Sequence, residues 1–239
     1  MTCYVLVHGA WHTGREFEAT AAPLRQAGHE VHLPTLAGNR PGDRKDVNLS
    51  IAIASLVEFI ESHQLEDFVL VGHSYGGMLI TAIADRMAER VRRLVYWNAF
   101  VPDDGQALID LVPTHYVAMF KALVAADGSI TLPFPVWREA FINDASLELA
   151  ERAYARLNPH PWATFTAPLR LSRPPAALPC AKSYLNCTDD TALPHSLPWH
   201  PRLSEKLGLF RLVQCPGSHE LCFTNPTLLG HKIMEAGRD

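Results

Sequence analysis

The sequence predicts an α/β fold, with a mainly parallel sheet of six strands, helices on both faces and a helical cap inserted after the fourth strand. Short apolar runs rich in β-branched residues recur along the chain and are typical of buried strands. Segments with helical spacing of apolar residues separate most of these runs. The alternation stops between residues 102 and 179, where no convincing strand occurs. Alternating strands and helices favour parallel strands joined by right-handed crossovers.

Each predicted strand is short and mostly apolar. The strands are expected at residues 4–7, 30–33, 68–71, 94–97, 182–187 and 209–213. The predicted helices are residues 15–27, 49–63, 75–88, 197–207 and 226–236. In the second of these helices, Leu49, Ile53, Leu56 and Ile60 have the spacing that lays one apolar stripe of a helix on a sheet.

The segment that breaks the alternation is rich in proline, which cuts it into short pieces. We expect residues 1–102 and 180–239 to form the core and residues 103–179 to form the cap. A long insertion in a compact domain is more often a functional lid than an idle loop. The cap is therefore expected over the carboxyl ends of the strands, where open α/β sheets bind ligands. A separate second domain or an oligomerisation arm is the alternative.

Charge and composition favour a small, roughly neutral ligand. The formal charge is −4 and no Lys/Arg-rich run occurs, so neither nucleic acid nor an anionic membrane is expected as a partner. The first residues enter a strand without the features of a signal peptide, and no segment has the ~20 apolar residues that span a bilayer. The five cysteines are scattered, without Cys-x-x-Cys spacing, and are expected to be free thiols. We predict a cytoplasmic monomer or homodimer.

A glycine-flanked serine directly follows the third predicted strand and directly precedes an apolar helix. The residues are Gly72, His73, Ser74, Tyr75, Gly76 and Gly77. This is the context of a nucleophile elbow, a strained strand-to-helix turn that exposes the serine. Gly72 and Gly76 leave room for the close approach of neighbouring backbone. The helix N-terminus places positive partial charge beside a developing anion, so we predict that Ser74 is a nucleophile.

A serine hydroxyl needs a base to take its proton, and that base must be oriented by a carboxylate. Behind a nucleophile elbow the chain order is Ser, acid, His. His219 follows the last strand and precedes the last helix, where the base belongs. Other histidines are expected to be solvated or structural, namely His195, His200 and His231, while His160 in the cap is expected at most to touch substrate.

Two adjacent carboxylates, Asp189 and Asp190, follow the fifth strand and are candidates for the acid. Their spacing alone does not separate them. Asp103 and Asp104, which follow the fourth strand, are lesser candidates, because some hydrolases draw their acid from that position.

An oxyanion hole requires two backbone N–H donors, one after the nucleophile and one from the loop after the first strand. Tyr75 directly follows Ser74, and Ala10 lies in the loop after the first strand, so we predict that their amides are the two donors. Gly9 allows the chain to turn there without steric cost. His8 is expected to be a buried scaffold residue, because the triad already has its base.

Four segments together resemble the α/β-hydrolase superfamily, and more closely its branch of methylesterases and hydroxynitrile lyases. They are residues 5–12, 72–77, 95–102 and 187–194. In that branch the acid is the second carboxylate of its turn, which implies Asp190. The resemblance extends from the first residues to the last helix, weakly through the cap. We expect neither a cofactor nor a metal.

Two residues depart from the lyase members of this branch. Lyases have Thr after the first-strand His and Lys after the catalytic His, where this chain has Gly9 and Glu220. Without a lysine ammonium to stabilise departing cyanide, lyase chemistry is not expected. Glu220 also replaces the apolar residue of the methylesterases, and we expect it to face outward, with recognition of a substrate N–H or cation as the alternative.

Residues 35–43 and 133–144 further resemble bacterial esterases that cleave the methyl carbamate of carbendazim. The resemblance implies release of methanol and carbon dioxide, leaving 2-aminobenzimidazole. A flat apolar pocket would suit such a ring. The predicted lining residues are Trp11, Tyr116, Met119, Phe134, Trp137, Trp162 and Phe165, with Glu220 as the polar candidate.

The leading hypothesis is a serine hydrolase for a small, largely apolar ester or carbamate, with Ser74, His219 and Asp190 as the catalytic residues. One alternative is a cofactor-free dioxygenase or lyase, in which His219 and Asp190 act as a base and Ser74 only binds. Another is a noncatalytic ligand receptor that retains the triad. An intact triad does not separate these three hypotheses.

Overall fold

The computed structural model describes residues 1–239 and contains one parallel sheet of six strands. The strands are β1 (Cys3–Val7), β2 (Glu30–His32), β3 (Phe68–His73), β4 (Val91–Trp97), β7 (Ala181–Cys187) and β8 (Arg211–Cys215). Their order is β2-β1-β3-β4-β7-β8, and every neighbouring pair is parallel. The predicted α/β class and the six-stranded sheet are confirmed.

Helices cover both faces of the sheet because its central strands are apolar on both sides. In β1, Val5 and Val7 belong to one buried cluster, while Tyr4 and Leu6 belong to the cluster on the opposite face. The helices of the core are α1 (Glu18–Gln26), α2 (Leu49–Ser62), α3 (Gly76–Arg86), α8 (Leu221–Thr224) and α9 (Pro226–Gly237). The first cluster includes the apolar stripes of α2 and α3, and the second those of α1 and α9.

Local sequence explains where two of these helices begin. The Asn48 side chain accepts a hydrogen bond from the backbone N–H of Ile51, and Asn225 does the same for Leu228. Each asparagine thus satisfies one of the amides that a helix N-terminus leaves without a partner. Pro226 follows Asn225 in the first turn, where a missing N–H costs nothing.

The prediction of a helix at 197–207 is wrong. Only a 3-10 turn at Ser204–Leu207 forms there. Pro198 and Pro201 lack the amide hydrogens that a helix would need at those positions, and the remaining segment is irregular. The strand predicted at 209–213 begins two residues later than expected, and Leu209 is 92 % exposed.

Residues 103–179, predicted to be the cap, contain α4 (Thr114–Ala122), α5 (Phe134–Val136), α6 (Leu147–Tyr154) and α7 (Ala163–Thr166). A π-helical turn, Trp137–Phe141, extends α5. The segment also holds a two-stranded antiparallel pair, β5 (Ser129–Ile130) and β6 (His160–Pro161), which the sequence did not reveal because each strand has only two residues. The amide of Asn158 donates to the Trp11 carbonyl at 2.7 Å, which joins this segment to the loop after β1.

No helix combines the length and the apolar character that crossing a membrane requires.

Candidate active site

Ser74 lies on the turn between β3 and α3 in a left-handed backbone conformation, with φ of 53°. Such a conformation is strained for a residue with a side chain and persists only when its surroundings hold it. The neighbouring glycines allow this packing. A Cβ on Gly72 would lie 2.9 Å from the backbone of Gly76, and a Cβ on Gly76 would lie 2.8 Å from the Val7 carbonyl oxygen. The predicted close approach at both glycines is confirmed.

His219 and Asp190 meet at the carboxyl ends of β8 and β7. The Nδ1–H of His219 donates to Oδ2 of Asp190 at 2.6 Å, and both side chains are almost completely buried. The other carboxylate oxygen of Asp190 accepts from the Ala192 amide at 2.8 Å. With Nδ1 protonated in this way, Nε2 of His219 is left as the acceptor nitrogen.

Asp189 points away from His219, although it directly precedes Asp190. It is exposed, and Oδ2 accepts a hydrogen bond from the Gly217 amide at 2.8 Å. Asp103 instead pairs with Lys206, and Asp104 accepts from the Leu171 amide. Of the four candidate carboxylates, only Asp190 contacts the imidazole.

Ser74 and His219 line the same cavity, but no hydrogen bond joins the Ser74 hydroxyl to the imidazole. Catalytic hydrogen bonds are often long or poorly aligned without substrate and tighten when it binds. The site therefore contains the residue types of a Ser-His-Asp triad, without a hydrogen bond between the serine and the imidazole.

Asn98 is a further residue of the site that the sequence analysis missed. It follows β4 with φ of 35°, and its Oδ1 accepts from the Cys187 amide at 2.6 Å. Its side-chain amide donates to the same Asp190 oxygen that His219 contacts. The available signal was a polar residue directly after a buried strand, where the side chain lies at the carboxyl edge of the sheet.

We expect Asn98→Ala to lower kcat about tenfold and the free energy of unfolding by about 1–3 kcal/mol. The substitution leaves the Cys187 amide without its acceptor and removes one of the three donors to the Asp190 carboxylate. Steady-state kinetics and urea unfolding measure the two effects. An unchanged kcat would show that His219 and Ala192 suffice to hold the carboxylate.

The backbone N–H groups of Ala10 and Tyr75 both lack an acceptor within the protein. Both residues line the cavity beside Ser74. Free N–H donors at a buried site are uncommon, since most buried backbone donors are paired. The structure thus brings the two predicted oxyanion donors to one cavity.

The cavity at Ser74 is almost wholly apolar, because thirteen of its fifteen lining residues are hydrophobic. The lining residues are Ala10, Trp11, Ser74, Tyr75, Phe100, Leu108, Val112, Tyr116, Phe120, Phe141, Phe165, Ala192, Leu193, Trp199 and His219. Its volume of about 30 Å³ is far below the roughly 300–1,000 Å³ of pockets that bind small molecules. A substrate must therefore displace side chains, several of which belong to residues 103–179.

Trp11, Tyr116 and Phe165 line the cavity as predicted, whereas five other predicted lining residues do not: Met119, Phe134, Trp137, Trp162 and Glu220. The helical period explains one case: Tyr116 and Phe120 both line the cavity from α4, whereas Met119, which directly precedes Phe120, is turned about 100° away from it. Trp137 is fully buried and donates to the Ala150 carbonyl, and Phe134 packs on Tyr154.

Trp199 is the other important residue that the sequence analysis missed. Its indole stacks on the His219 imidazole, with ring centroids 5.1 Å apart and an interplanar angle of 17°. The sequence does not predict this contact, because residues 197–207 are predicted to form a helix with no role in the site.

The expectation that Glu220 faces outward is wrong. The residue is 1 % exposed, and its Oε2 lies 3.1 Å from Nε2 of His12, which is equally buried. A buried carboxylate needs a partner, and His12 supplies one. Glu220 therefore neither lines the cavity nor reaches solvent.

His8 and His160 are both fully buried. His8 donates from Nδ1 to the Gly9 carbonyl, its Nε2 accepts from the Leu36 amide, and burial lowers its pKa to about 4. His8 is thus buried and hydrogen-bonded, as predicted. His160 bonds to Asn39 and Thr164 and does not line the cavity.

Two groups of side chains have the chemistry of metal ligands. Cys3 and Glu30 are the first residues of β1 and β2, and His32 is the last residue of the short strand β2, so this group is separate from Ser74. The second group is His73, His219 and Glu220, and each of its members already has a partner. His73 donates to the His219 carbonyl, His219 to Asp190, and Glu220 pairs with His12.

A family model described as the alpha/beta hydrolase family matches residues 4–229. A carbendazim hydrolyzing esterase from Nocardioides sp. is 34 % identical over 250 aligned positions, which cover 99 % of this chain and all of that protein. An alpha/beta hydrolase, nvfD, from Aspergillus novofumigatus is 27 % identical over 97 % of this chain and 95 % of its own length.

A solved structure of an extracellular alpha/beta-hydrolase from a Paenibacillus species is similar over the full length of both chains. It superposes with a TM-score of 0.96 at 36 % sequence identity. That protein is described as sharing structural and functional homology with tobacco salicylic acid binding protein 2.

Proposed function

Because this chain belongs to the α/β-hydrolase family and is a hydrolase related to named esterases, we propose that it is a serine esterase for neutral aryl esters or methyl carbamates. The observation that carries the proposal is the contact of 2.6 Å between His219 and Asp190, at a cavity that also contains the elbow residue Ser74.

In the proposed reaction, Oγ of Ser74 attacks the substrate carbonyl carbon while Nε2 of His219 takes the hydroxyl proton. Asp190 orients the imidazole and stabilises its positive charge. The amides of Ala10 and Tyr75 donate to the oxygen that becomes negative. His219 then protonates the departing alcohol, and a water activated by the same base releases the acyl group from Ser74.

For a methyl carbamate, the departing alcohol is methanol and the group left on Ser74 is a carbamoyl group. Water releases it as a carbamic acid, which loses carbon dioxide and leaves an amine. With carbendazim this amine is 2-aminobenzimidazole. The Nocardioides relative named for carbendazim hydrolysis supports this substrate class, and so does the aromatic lining contributed by Trp11, Phe120 and Phe165.

Two residues, Glu220 and Gly9, argue against lyase chemistry. Glu220 occupies the position of the lyase lysine and is paired with His12. A side chain at Gly9, where the lyases have threonine, would meet His73 Nδ1 at 2.9 Å and Ser74 Cβ at 3.1 Å. The proposal of a cytoplasmic, monomeric or homodimeric enzyme rests on the sequence alone, and the Paenibacillus relative is described as extracellular.

The charge of the substrate provides a direct test. We expect kcat/KM for a neutral aryl methyl ester or carbamate to exceed that for a matched substrate with a ring carboxylate by at least about 100-fold. The reason is that His219 is the only lining residue that can become cationic, and as the proposed base it must be neutral before it takes the Ser74 proton, so a buried anion would have no countercharge. Methanol release, assayed across such matched pairs, measures the ratio. Equal values for neutral and anionic substrates, or tight binding of all of them without turnover, would contradict the proposal.

A further inference from the structure

Outside the triad, a second buried histidine–carboxylate pair lies beside the candidate site. His12 and Glu220 are each 1 % exposed, and their Nε2 and Oε2 atoms are 3.1 Å apart. The ring N–H does not point straight at the oxygen, so the contact is an ion pair more than an aligned hydrogen bond. The proposed mechanism uses neither residue.

The hydrogen bonds of His12 determine its proton count. Nδ1 lies 2.6 Å from the Ala10 carbonyl oxygen, which only accepts, so Nδ1 carries a proton. An unprotonated Nε2 would then set its lone pair against a carboxylate oxygen. The contact is favourable only when a proton lies between Nε2 and Glu220, as it does in an imidazolium–carboxylate pair.

The surroundings of His12 favour the charged form of this pair. Burial opposes a charge on His12, but Glu220, the buried carboxylate of Glu16 and the Ala10 carbonyl outweigh it and raise the pKa of His12. Three other titratable groups lie nearby. The ring centroid of His73 is 6.0 Å from that of His12, and burial lowers the pKa of His73. Burial likewise lowers the pKa of His8, and the Cys222 thiol donates to Glu220. The pair is thus neutral in total, with each charge compensated inside the protein.

The His12–Glu220 pair connects the loop that contains Ala10 with the loop that contains His219. The proposed mechanism requires these two loops to keep a fixed relative position. His12 bonds to the carbonyl of Ala10, whose own amide is a proposed oxyanion donor. That carbonyl shares a peptide unit with Trp11, which has φ of 64° and therefore needs its surroundings to hold it. Glu220 directly follows His219, the proposed base.

We infer that Glu220 and His12 are positioning residues that fix the oxyanion loop at Ala10 relative to the base His219. The inference rests on the proposed function, since it assigns to these residues the alignment of the proposed oxyanion hole. Their contribution is made in the transition state, when Ala10 must donate to the new anion while His219 holds the Ser74 proton.

Glu220→Gln tests the inference, because it removes the charge and keeps the shape of the side chain. We expect kcat to fall by about 10- to 100-fold while KM stays within about twofold. An aryl trifluoromethyl ketone provides the second readout. Ser74 adds to its carbonyl carbon, the serine proton passes to His219, and the carbonyl oxygen becomes an oxyanion. Its Ki is expected to rise by the same factor as kcat/KM falls.

Two further variants separate positioning from folding. The double variant His12→Asn/Glu220→Leu leaves no buried charge without a partner, and we expect it to fold and to show the same loss of kcat and the same rise in Ki. Glu205→Gln, which removes an exposed carboxylate, is the matched control and is expected to behave as wild type.

A lower melting temperature with unchanged kcat and unchanged ketone Ki in Glu220→Gln and in the double variant would overturn the inference. Phosphonate labelling of Ser74 is measured in every variant. If the wild-type protein is labelled but both variants keep full kcat, only the positioning role is wrong. If the wild-type protein is not labelled, the proposed function is wrong and the inference fails with it.

Discussion

Replacing Ser74 with alanine is expected to lower kcat for a methyl ester or carbamate by about 10⁴- to 10⁶-fold. Without Oγ, no covalent intermediate forms, and only substrate binding and the oxyanion donors contribute to the residual rate. The elbow geometry favours retention of the fold, because alanine keeps the Cβ that the strained turn already accommodates at φ of 53°. Methanol release by wild-type and variant protein measures the change, with a melting curve to confirm folding.

Ser62→Ala is the matched control, since Ser62 is an exposed serine at the end of α2 and its hydroxyl bonds only within its own helix and to the adjacent His63. It is expected to keep wild-type kcat. A fluorophosphonate should label wild-type protein and the Ser62 variant at the peptide that contains Ser74, and should not label Ser74→Ala. Near-normal turnover by Ser74→Ala would contradict the nucleophile assignment and favour a reaction in which His219 and Asp190 act alone as base.

The parts of the site that sequence predicted are those that local geometry determines. A strand, a serine flanked by glycines and a helix occur in direct succession, and this pattern predicts the nucleophile elbow. One short segment therefore predicts both Ser74 as nucleophile and the Tyr75 amide as oxyanion donor. The loop position of His219 follows in the same way from the last strand and the last helix.

The parts that sequence did not predict depend on the direction in which a side chain points. Asp189 and Asp190 are chemically identical neighbours, and only the path of the turn after β7 sends one to solvent and the other to His219. Trp199 reaches the site from a segment whose prolines prevent the predicted helix. The sequence does not reveal that Glu220 is buried, because an isolated carboxylate is costly to bury and its partner His12 lies far away along the chain.

The second large effect is expected when Asp190, the proposed acid of the triad, is replaced. The adjacent carboxylate of Asp189 provides a matched comparison. We expect Asp190→Asn to lower kcat by about 10⁴-fold. An asparagine amide at this position would donate to Nδ1 of His219, which moves the imidazole proton to Nε2 and leaves no acceptor for the Ser74 proton. The new amide would also face the side-chain amide of Asn98, which now donates to Asp190. Steady-state kinetics measure the loss of kcat, and urea unfolding measures the accompanying change in stability.

Asp189→Asn is expected to reduce kcat by less than about threefold, because the new side-chain oxygen still accepts from the Gly217 amide and the residue is exposed. The two variants carry the same change of charge on adjacent residues of one turn. A general electrostatic effect of removing a carboxylate near His219 would therefore lower kcat in both. A large loss confined to Asp190→Asn assigns the effect to the hydrogen bond with Nδ1, whereas a large loss confined to Asp189→Asn would refute Asp190 as the acid.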